Sequence, residues 1–339
     1  MKKRNNLIRF WFFVIIIFLV VYFGDVRLQF GSAEAGSQKI FVNNLTKLQN
    51  ITGQMWISPW NSQTKFIPQI SKTKNKLWIQ TYEFTNKDIK KLFKDLANRG
   101  ADIRIIIEDN KYQQFSNTLK VLRTYFTWYN NVWLKSDKWM WTEYVHSKIN
   151  ILDSWFIIQT ANLTLSSFKT NREYFLWSTN TGILFSLNKI FLRDWSGEKI
   201  QASDIHPNLV ICNINCRTVI EKLLNNARQS ITIQTQYITD PGILKILKNK
   251  SDLKLNLLLA NTPENDYVVK YFGPKRARIF KKYYNHTKMI LVDNKTLLLW
   301  SMNLSANSLD KNREIWILLI DPSLIQIFIN QFWKDRVSK

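Results

Sequence analysis

The sequence predicts an α/β protein made of two related halves, each an α/β/α sandwich, that are related by a pseudo-twofold axis and share one active site. Three observations support this fold class. The frame H-x-K-x-x-x-x-D occurs twice, segments upstream of the two frames align with each other, and each frame is followed by a similar tail that ends in N-R-E. Because a duplicated chain folds into two similar units, we expect the two frames to face one another.

The duplication is visible well before the frames. "ISPWNSQT" (57–64) aligns with "ICNINCRT" (211–218), and "IQTYEFTNKDI" (79–89) aligns with "IQTQYITDPGI" (233–243) at the same offset. Each segment continues as an apolar strand, a polar helix and a second apolar strand. This alternation is typical of a layered α/β unit that is used twice.

The aromatic-rich stretch 111–144 contains the residues by which the first half is longer than the second. Its aromatic side chains are compatible with three roles: contact with lipid at a membrane interface, a platform on which nucleobases stack, or part of the buried core. The sequence leaves all three open.

The first frame, "VHSKINILD", covers 145–153, and the second, "NHTKMILVD", covers 285–293. Apolar and β-branched residues predict a strand in each copy. Side chains alternate between the faces of a strand, so the histidine and lysine of a copy share one face, as do the hydroxyl and amide residues of the next strand. The candidate site residues are therefore His146, Lys148, Thr160 and Asn162 in the first half and His286, Lys288, Ser301 and Asn303 in the second.

This set of side chains suits phosphoryl transfer without a metal ion or cofactor. Ammonium and amide groups can neutralise and orient a phosphodiester. One imidazole can attack phosphorus while the other protonates the leaving oxygen, because histidine titrates near neutral pH. The duplicated frames therefore predict one metal-independent site for phosphodiester chemistry.

The paired frames resemble the two HKD motifs of the phospholipase D superfamily, H-x-K-x-x-x-x-D-x-x-x-x-x-x-G-S-x-N. The resemblance implies a phosphohistidine intermediate, with the first histidine as nucleophile and the second as general acid. It implies catalytic roles for His146, Lys148, Asp153, His286, Lys288 and Asp293, of which the aspartates would orient and brace the motif. It further implies phosphate binding by Asn162, Asn303, Thr160 and Ser301, and supporting roles for the N-R-E glutamates, Glu173 and Glu314.

The N-terminal residues 1–36 have the pattern of an export signal or a membrane anchor. Lysines and arginines precede an uncharged apolar run from Phe10 to Gly24, which is the order found in such segments. We therefore expect a protein that is either anchored to a membrane, with its catalytic domain outside the cytoplasm, or secreted. The two halves are then predicted to cover 37–195 and 196–339.

The charge balance indicates an anionic partner. The chain has 48 Lys+Arg and 25 Asp+Glu, a formal net charge of +23, which favours a membrane with anionic phospholipids or a nucleic acid. Together with the resemblance, this favours hydrolysis of phospholipids, with an exported endonuclease as the alternative and a phosphatidyl transferase similar to cardiolipin synthase ranked lower. The sequence implies no obligate protein partner.

Two cysteines, Cys212 and Cys216, lie close to His206. A disulfide would suit an oxidising compartment, two free thiols would be structural, and a zinc site would need a fourth ligand. The sequence leaves these alternatives open.

The sequence departs from the superfamily motif at its glycines. Gln159 and Trp300 occupy the motif's glycine position, Trp316 stands where many relatives have glycine, and the whole chain has 14 Trp but only 9 Gly, although glycine is usually ~7% of residues. We predict that some of these tryptophans are glycine in the native protein, because a reassigned codon specifies glycine there. Peptide mass spectrometry of the native protein should then find glycine masses at positions 300 and 316, and tryptophan masses at both would refute the prediction.

Overall fold

The computed structural model describes residues 44–109, 118–301 and 303–338. The predicted N-terminal signal or anchor, 1–36, lies outside the described residues, as does 111–117 of the aromatic-rich stretch. Within the described ranges, no helix is both long enough and apolar enough to cross a membrane.

The first half is an alternation of strands and helices. Its strands are β1 (Gln54–Ile57), β2 (Lys76–Thr81), β3 (Asp102–Ile107), β4 (Val132–Ser136), β5 (Ile149–Ile151), β6 (Phe156–Gln159), β7 (Asn171–Arg172) and β8 (Tyr174–Ser178). Its helices are α1 (Ser62–Ser71), α2 (Lys87–Asn98), α3 (Thr118–Tyr125), α4 (Leu165–Lys169) and α5 (Thr181–Ser196). Short 3₁₀ helices lie at Asn44–Thr46 and Asp137–Trp139.

The second half repeats this order. Its strands are β9 (Leu209–Ile211), β10 (Ser230–Thr235), β11 (Lys254–Ala260), β12 (Ala277–Phe280), β13 (Tyr284–Asn285), β14 (Lys288–Val292), β15 (Thr296–Leu299) and β16 (Ile315–Leu319). Its helices are α6 (Cys216–Asn225), α7 (Pro241–Asn249), α8 (Pro263–Phe272), α9 (Ala306–Asp310) and α10 (Pro322–Val337). A 3₁₀ helix, Ala202–Asp204, follows α5 and precedes β9 in the chain.

The two large sheets have the same topology. The strand order is β1-β8-β6-β5-β2-β3-β4 in one and, read in the matching direction, β9-β16-β15-β14-β10-β11-β12 in the other. In each sheet three neighbouring strands run parallel, β2-β3-β4 and β10-β11-β12, and the remaining pairs are antiparallel. The predicted fold class, a duplicated α/β protein with two similar halves, is confirmed.

The histidines lie within the strands that the sequence predicts for the two frames, but outside the strands of the structure. The strands predicted over 145–153 and 285–293 are shorter, because β5 begins at Ile149 and β14 at Lys288. The backbone N–H groups of His146 and Ser147 donate instead to the carbonyl of Arg313 in the other half, at 3.0 and 2.9 Å. Pairing between the halves thus replaces the beginning of each predicted strand.

Two short parallel pairings join the halves next to the histidines. Strand β13 pairs with β7, and Val145 forms an isolated bridge with Arg313. Each pairing brings one frame against the N-R-E tail of the opposite half. The frames and tails therefore meet across the pseudo-twofold axis.

The central apolar layer contains residues of both halves. The helices that follow each sheet contribute to it, α5 with Leu187 and Ile190 and α10 with Phe328 and Phe332. Two further apolar layers cover the outer faces of the sheets, one in each half. The large central layer holds the halves together by the burial of apolar surface.

Buried charges reinforce the contact between the halves. Arg172 of one N-R-E tail donates to both oxygens of Asp335 in α10, at 2.7 and 2.8 Å, and Arg313 of the other donates to Asp194 in α5 at 3.2 Å. Each aspartate also accepts a hydrogen bond from a glutamine of a central strand, Gln234 to Asp335 and Gln80 to Asp194. Burial raises the pKa of Asp194 although Arg313 acts in the opposite direction.

The cysteines form a disulfide. Cys212 and Cys216 are bonded, with 4.7 Å between their Cα atoms, and the Nε2 atom of His206 lies 3.3 Å from the side-chain oxygen of Gln49. The zinc and free-thiol alternatives are therefore wrong for this structure. Among the described residues no group of three or more His, Cys, Asp or Glu could hold a metal ion.

The tryptophans occupy two contrasting environments. Trp300 and Trp316 are fully buried in the outer layer of the second half, with ring centroids 5.6 Å apart, and the indole N–H of Trp316 has no hydrogen-bond partner among the described residues. In the aromatic-rich stretch, four tryptophans are exposed: Trp128, Trp133, Trp139 and Trp141. For those four, the alternative of a buried core is wrong, and the lipid and nucleobase alternatives stay open.

We predict that Arg172→Ala lowers the free energy of unfolding by about 3–5 kcal/mol, because it leaves the buried Asp335 without its countercharge. The matched control is Arg104→Ala, which removes a partly exposed arginine whose partner, Asp102, is also partly exposed, and it should cost about 1 kcal/mol or less. Chemical denaturation of both variants measures the difference. Equal losses would contradict the structural role given to Arg172.

Candidate active site

Each histidine of the two frames is held by a glutamate from the opposite half. The Nδ1 atom of His146 lies 2.8 Å from Oε1 of Glu314, and Nδ1 of His286 lies 2.7 Å from Oε1 of Glu173. Both glutamates are fully buried. Since a carboxylate accepts the Nδ1 proton, the Nε2 atom of each ring keeps a lone pair that can act as nucleophile or base.

The glutamates are in turn fixed by hydroxyl groups of their own halves. Thr160 Oγ1 donates to Glu173 Oε2 at 2.5 Å, and Ser301 donates to Glu314 Oε2. The Thr160 hydroxyl also accepts the N–H of Tyr174 at 3.0 Å. Because these hydroxyls are engaged by the glutamates, we assign them positioning roles in place of the predicted contact with phosphate.

Both lysines of the frames are buried beside the histidines. Nζ of Lys148 donates to the carbonyl of His146 and Nζ of Lys288 to that of His286, each at 2.8 Å. Burial lowers the pKa of Lys148 to about 8 and that of Lys288 to about 7, although Glu173 and Glu314 attract their charge. A bound anion would favour the charged form of both lysines.

Burial favours the neutral form of both histidines. Burial lowers the pKa of His146 to about 4 and lowers that of His286, although the glutamate bonded to each ring acts in the opposite direction. Burial alone would raise the pKa values of Glu173 and Glu314, but the histidines, lysines and hydroxyls beside them lower both. The arrangement therefore combines a neutral imidazole with an ionised carboxylate behind it.

The two asparagines lie where the strands β6 and β15 have ended. The side-chain oxygens of Asn162 and Asn303 are buried and accept no hydrogen bond from the residues that the structure describes. An amide oxygen only accepts hydrogen bonds, so a donor group of a ligand would satisfy it, whereas a phosphate oxygen would have to contact the amide NH₂ group. Phosphate binding by the two asparagines stays a prediction.

The structure does not bring the motif aspartates to the histidines. Asp153 accepts the backbone N–H groups of 74–76, with the shortest distances 2.7 Å, and Asp293 accepts those of 228–230, also down to 2.7 Å. Partial burial opposes ionisation of Asp293, but the hydrogen bonds from Ser230, Gln229 and Arg228 lower its pKa. Both aspartates therefore brace the turns that precede β2 and β10, which fits the bracing role that the resemblance implies.

Sequence reasoning missed one asymmetry beside the site. The carbonyl oxygens of Glu83 and Tyr237 occupy equivalent places, accepting the N–H groups of Leu163 and Leu304 at 3.0 and 3.3 Å. Glu83 is half-buried, and burial raises its pKa although Lys148 attracts its charge. Tyr237 instead hydrogen-bonds Asn303. The aligned segments "IQTYEFT" and "IQTQYIT" contain this difference and could have revealed it.

The N-R-E arginines and their aspartate partners were also missed. The arginine occurs in both tails, so the sequence contained a signal for a duplicated role. The partners, Asp194 and Asp335, belong to the helices that end each half and have no motif of their own. Only the fold reveals these pairs.

Comparison with known proteins agrees with this geometry. A family profile described as "Cardiolipin synthase, PLD-like domain" matches residues 66–195 and 220–336, which is more than half of the chain. A search among curated proteins found no significant match.

Solved structures similar to the chain include phosphatidylserine synthase from Haemophilus influenzae Rd KW20, with a TM-score of 0.66 and 13% identity over 88% of this chain and 90% of that one. Polyphosphate kinase from Porphyromonas gingivalis matches with a TM-score of 0.65 and 13% identity over 85% of this chain, which spans about half (51%) of the kinase. NucT from Helicobacter pylori matches 44% of this chain with 98% of its own length, at 19% identity and a TM-score of 0.39. At 13% identity, the likeness to the synthase and the kinase shows the fold.

We predict that the affinity for sulfate falls by about tenfold or more as the pH rises from about 6.5 to about 9. The reason is that the pKa values of Lys288 and Lys148, about 7 and about 8, make both lysines lose their charge over this range. Sulfate itself keeps its charge between these pH values. Titration calorimetry measures the affinity, and Lys288→Met should remove the part of the change near pH 7. An affinity that is constant with pH would contradict the assignment of the lysines to anion binding.

Proposed function

The chain belongs to the phospholipase D superfamily, and we propose that it is a phosphodiesterase that hydrolyses phospholipids through a phosphohistidine intermediate. The observation that carries the proposal is the pair of reciprocal hydrogen bonds between each histidine and the glutamate of the opposite half. They support a single site with two imidazoles, of which one can attack phosphorus while the other transfers a proton.

In the first step, the neutral Nε2 atom of one histidine attacks phosphorus and the bond from phosphorus to the head-group oxygen breaks. The other histidine takes up a proton on Nε2 from solvent when the anionic diester binds, because a nearby negative charge favours the imidazolium form. It gives that proton to the head-group oxygen and then, as a base, takes a proton from the water that cleaves the phosphorus–nitrogen bond. By the resemblance, His146 is the nucleophile and His286 the acid. The glutamate behind each ring stabilises the positive charge that the ring gains in its turn.

The lysines and asparagines stabilise the charge that develops on phosphorus oxygens. Lys148 and Lys288 are both buried within the same cluster as the histidines, where a charge interacts more strongly than it does in water. The two amides provide further donors. These four side chains supply the electrostatic stabilisation that the proposed mechanism needs.

A second candidate is phosphatidyl transfer to an alcohol. The description of the matching family, which names cardiolipin synthase, favours it. It would use the same intermediate, with an alcohol in place of water in the second step. An exported endonuclease is the alternative in which the diester belongs to a nucleic acid.

We further propose that the enzyme works at a membrane with anionic phospholipids, anchored outside the cytoplasm or secreted. The net charge of +23 and the basic and apolar pattern of residues 1–36 support this location. Anionic lipids attract basic segments by about 1 kcal/mol for each Lys or Arg near the surface.

With vesicles of anionic phospholipid and added ethanol, the full-length chain should form phosphatidic acid together with phosphatidylethanol, because an alcohol can intercept the covalent intermediate. The activity should persist in excess EDTA. Thin-layer chromatography or mass spectrometry of the lipids measures both products. Nicking of plasmid DNA by an enzyme that leaves all phospholipids intact would contradict the proposal and favour the nuclease.

His146→Ala and His286→Ala should each remove nearly all turnover, and the double variant should be hardly worse than either single one, because nucleophile and acid act as a unit. The matched control is His206→Ala, which removes the third histidine of the chain, one that lies beside Gln49, and should keep its activity. Steady-state kinetics of the four variants tests this. Two single variants that each keep about half of the activity would indicate two separate sites.

A further inference from the structure

An apolar groove with a volume of about 570 Å³ lies between α7 and α8 in the second half. This volume is within the range of sites that bind small molecules. Carbon-rich side chains form most of its surface, with an acidic residue and two lysines at its rim. Its lining includes Ile238, Pro241, Leu244, Glu264, Tyr267 and Tyr271.

The groove borders the candidate active site. Ile238, which lines the groove, pairs with Leu304, the residue after Asn303, and Gln236 donates to the hydroxyl of Tyr284 at 2.6 Å. Tyr237 hydrogen-bonds Asn303, and the ring of Tyr284 stacks on that of His286 with centroids 6.2 Å apart. A ligand with its phosphate between the histidines can therefore extend past these tyrosines into the groove.

The two tyrosines that line the groove stack on each other. The rings of Tyr267 and Tyr271 lie 5.6 Å apart and nearly parallel at 18°, and Nζ of Lys248 lies 4.8 Å from the centroid of Tyr271. A nucleobase needs an open ring face to stack on, and both the partner ring and the lysine compete for these faces. An aliphatic chain needs only apolar surface, which the groove offers.

The aligned positions of the first half are more basic than the lining of the groove. At the aligned positions of the first half, lysines replace two of its apolar residues: Lys87 stands in place of Pro241, and Lys90 in place of Leu244. The pseudo-twofold axis therefore relates a groove suited to hydrocarbon to a cationic surface. A substrate with one apolar end would be oriented by this difference.

We propose that the groove binds an acyl chain of the phospholipid whose phosphate lies between His146 and His286, while Lys245 and Lys248 at its rim face the anionic membrane surface. The assignment rests on the proposed function and adds to it the direction in which the lipid lies. The apolar part of the groove consists of tyrosine, leucine, isoleucine and proline side chains, so the assignment does not depend on the identity of the tryptophans.

The test uses the full-length chain and monomeric phosphatidylglycerols with acyl chains of four to seven carbons. In the wild type, kcat/KM should rise by up to about fourfold for each methylene that the groove buries. Leu244→Lys, which introduces the residue of the first half, should flatten this rise and lower kcat/KM for the longest lipid by about tenfold or more. Hydrolysis of bis(p-nitrophenyl) phosphate, which has no acyl chain, should be unchanged.

The matched control is Lys90→Leu, the reverse exchange in the first half, which should leave the chain-length dependence intact. If Leu244→Lys does not fold, Tyr267→Ser, at a residue that is 59% exposed, replaces it. No dependence on chain length in the wild type, or the same dependence in the groove variants, would overturn the assignment while the diester is still cleaved. Failure to cleave any diester would instead overturn the proposed function, and a loss of DNA cleavage in Tyr267→Ser would assign the groove to nucleobases.

Discussion

The hydrogen bond between each histidine and a buried glutamate of the opposite half is the constraint on which this structure depends. Glu173 and Glu314 are fully buried, and an isolated buried carboxylate would be very costly. The imidazole and the lysine of the other half stabilise the ionised form of each buried glutamate. Separation of the halves would therefore destroy both the charge balance and the active site, so folding and function depend on the same contacts.

Most of the fold could be predicted from the sequence, and so could most of the side chains that the structure brings together. The duplication revealed two similar halves, and the repeated frames and tails identified the histidines, lysines and glutamates. The beginnings of the frame strands could not be predicted, because hydrogen bonds to Arg313 of the other half replace strand pairing there. The same holds for Arg172 and Asp335, which are 163 residues apart and meet only after the halves have packed.

The site combines symmetric chemistry with asymmetric surroundings. Both halves supply the same histidine, lysine, asparagine and glutamate, so the catalytic groups alone give the substrate no preferred direction. Beside them, Glu83 stands in the first half where Tyr237 stands in the second, and the groove between α7 and α8 has lysines at two of its aligned positions in the first half. A duplicated site can use these differences to distinguish the two ends of its substrate.

If the two halves form one site, turnover passes through one covalent phosphohistidine per chain. Rapid acid quenching of the full-length chain during turnover of a phospholipid labelled in its phosphate, followed by peptide mapping, measures this intermediate. A shared site should give at most one labelled group per chain, attached to one of the two motif histidines. Label on both histidines, rising to two groups per chain, would instead show two separate sites.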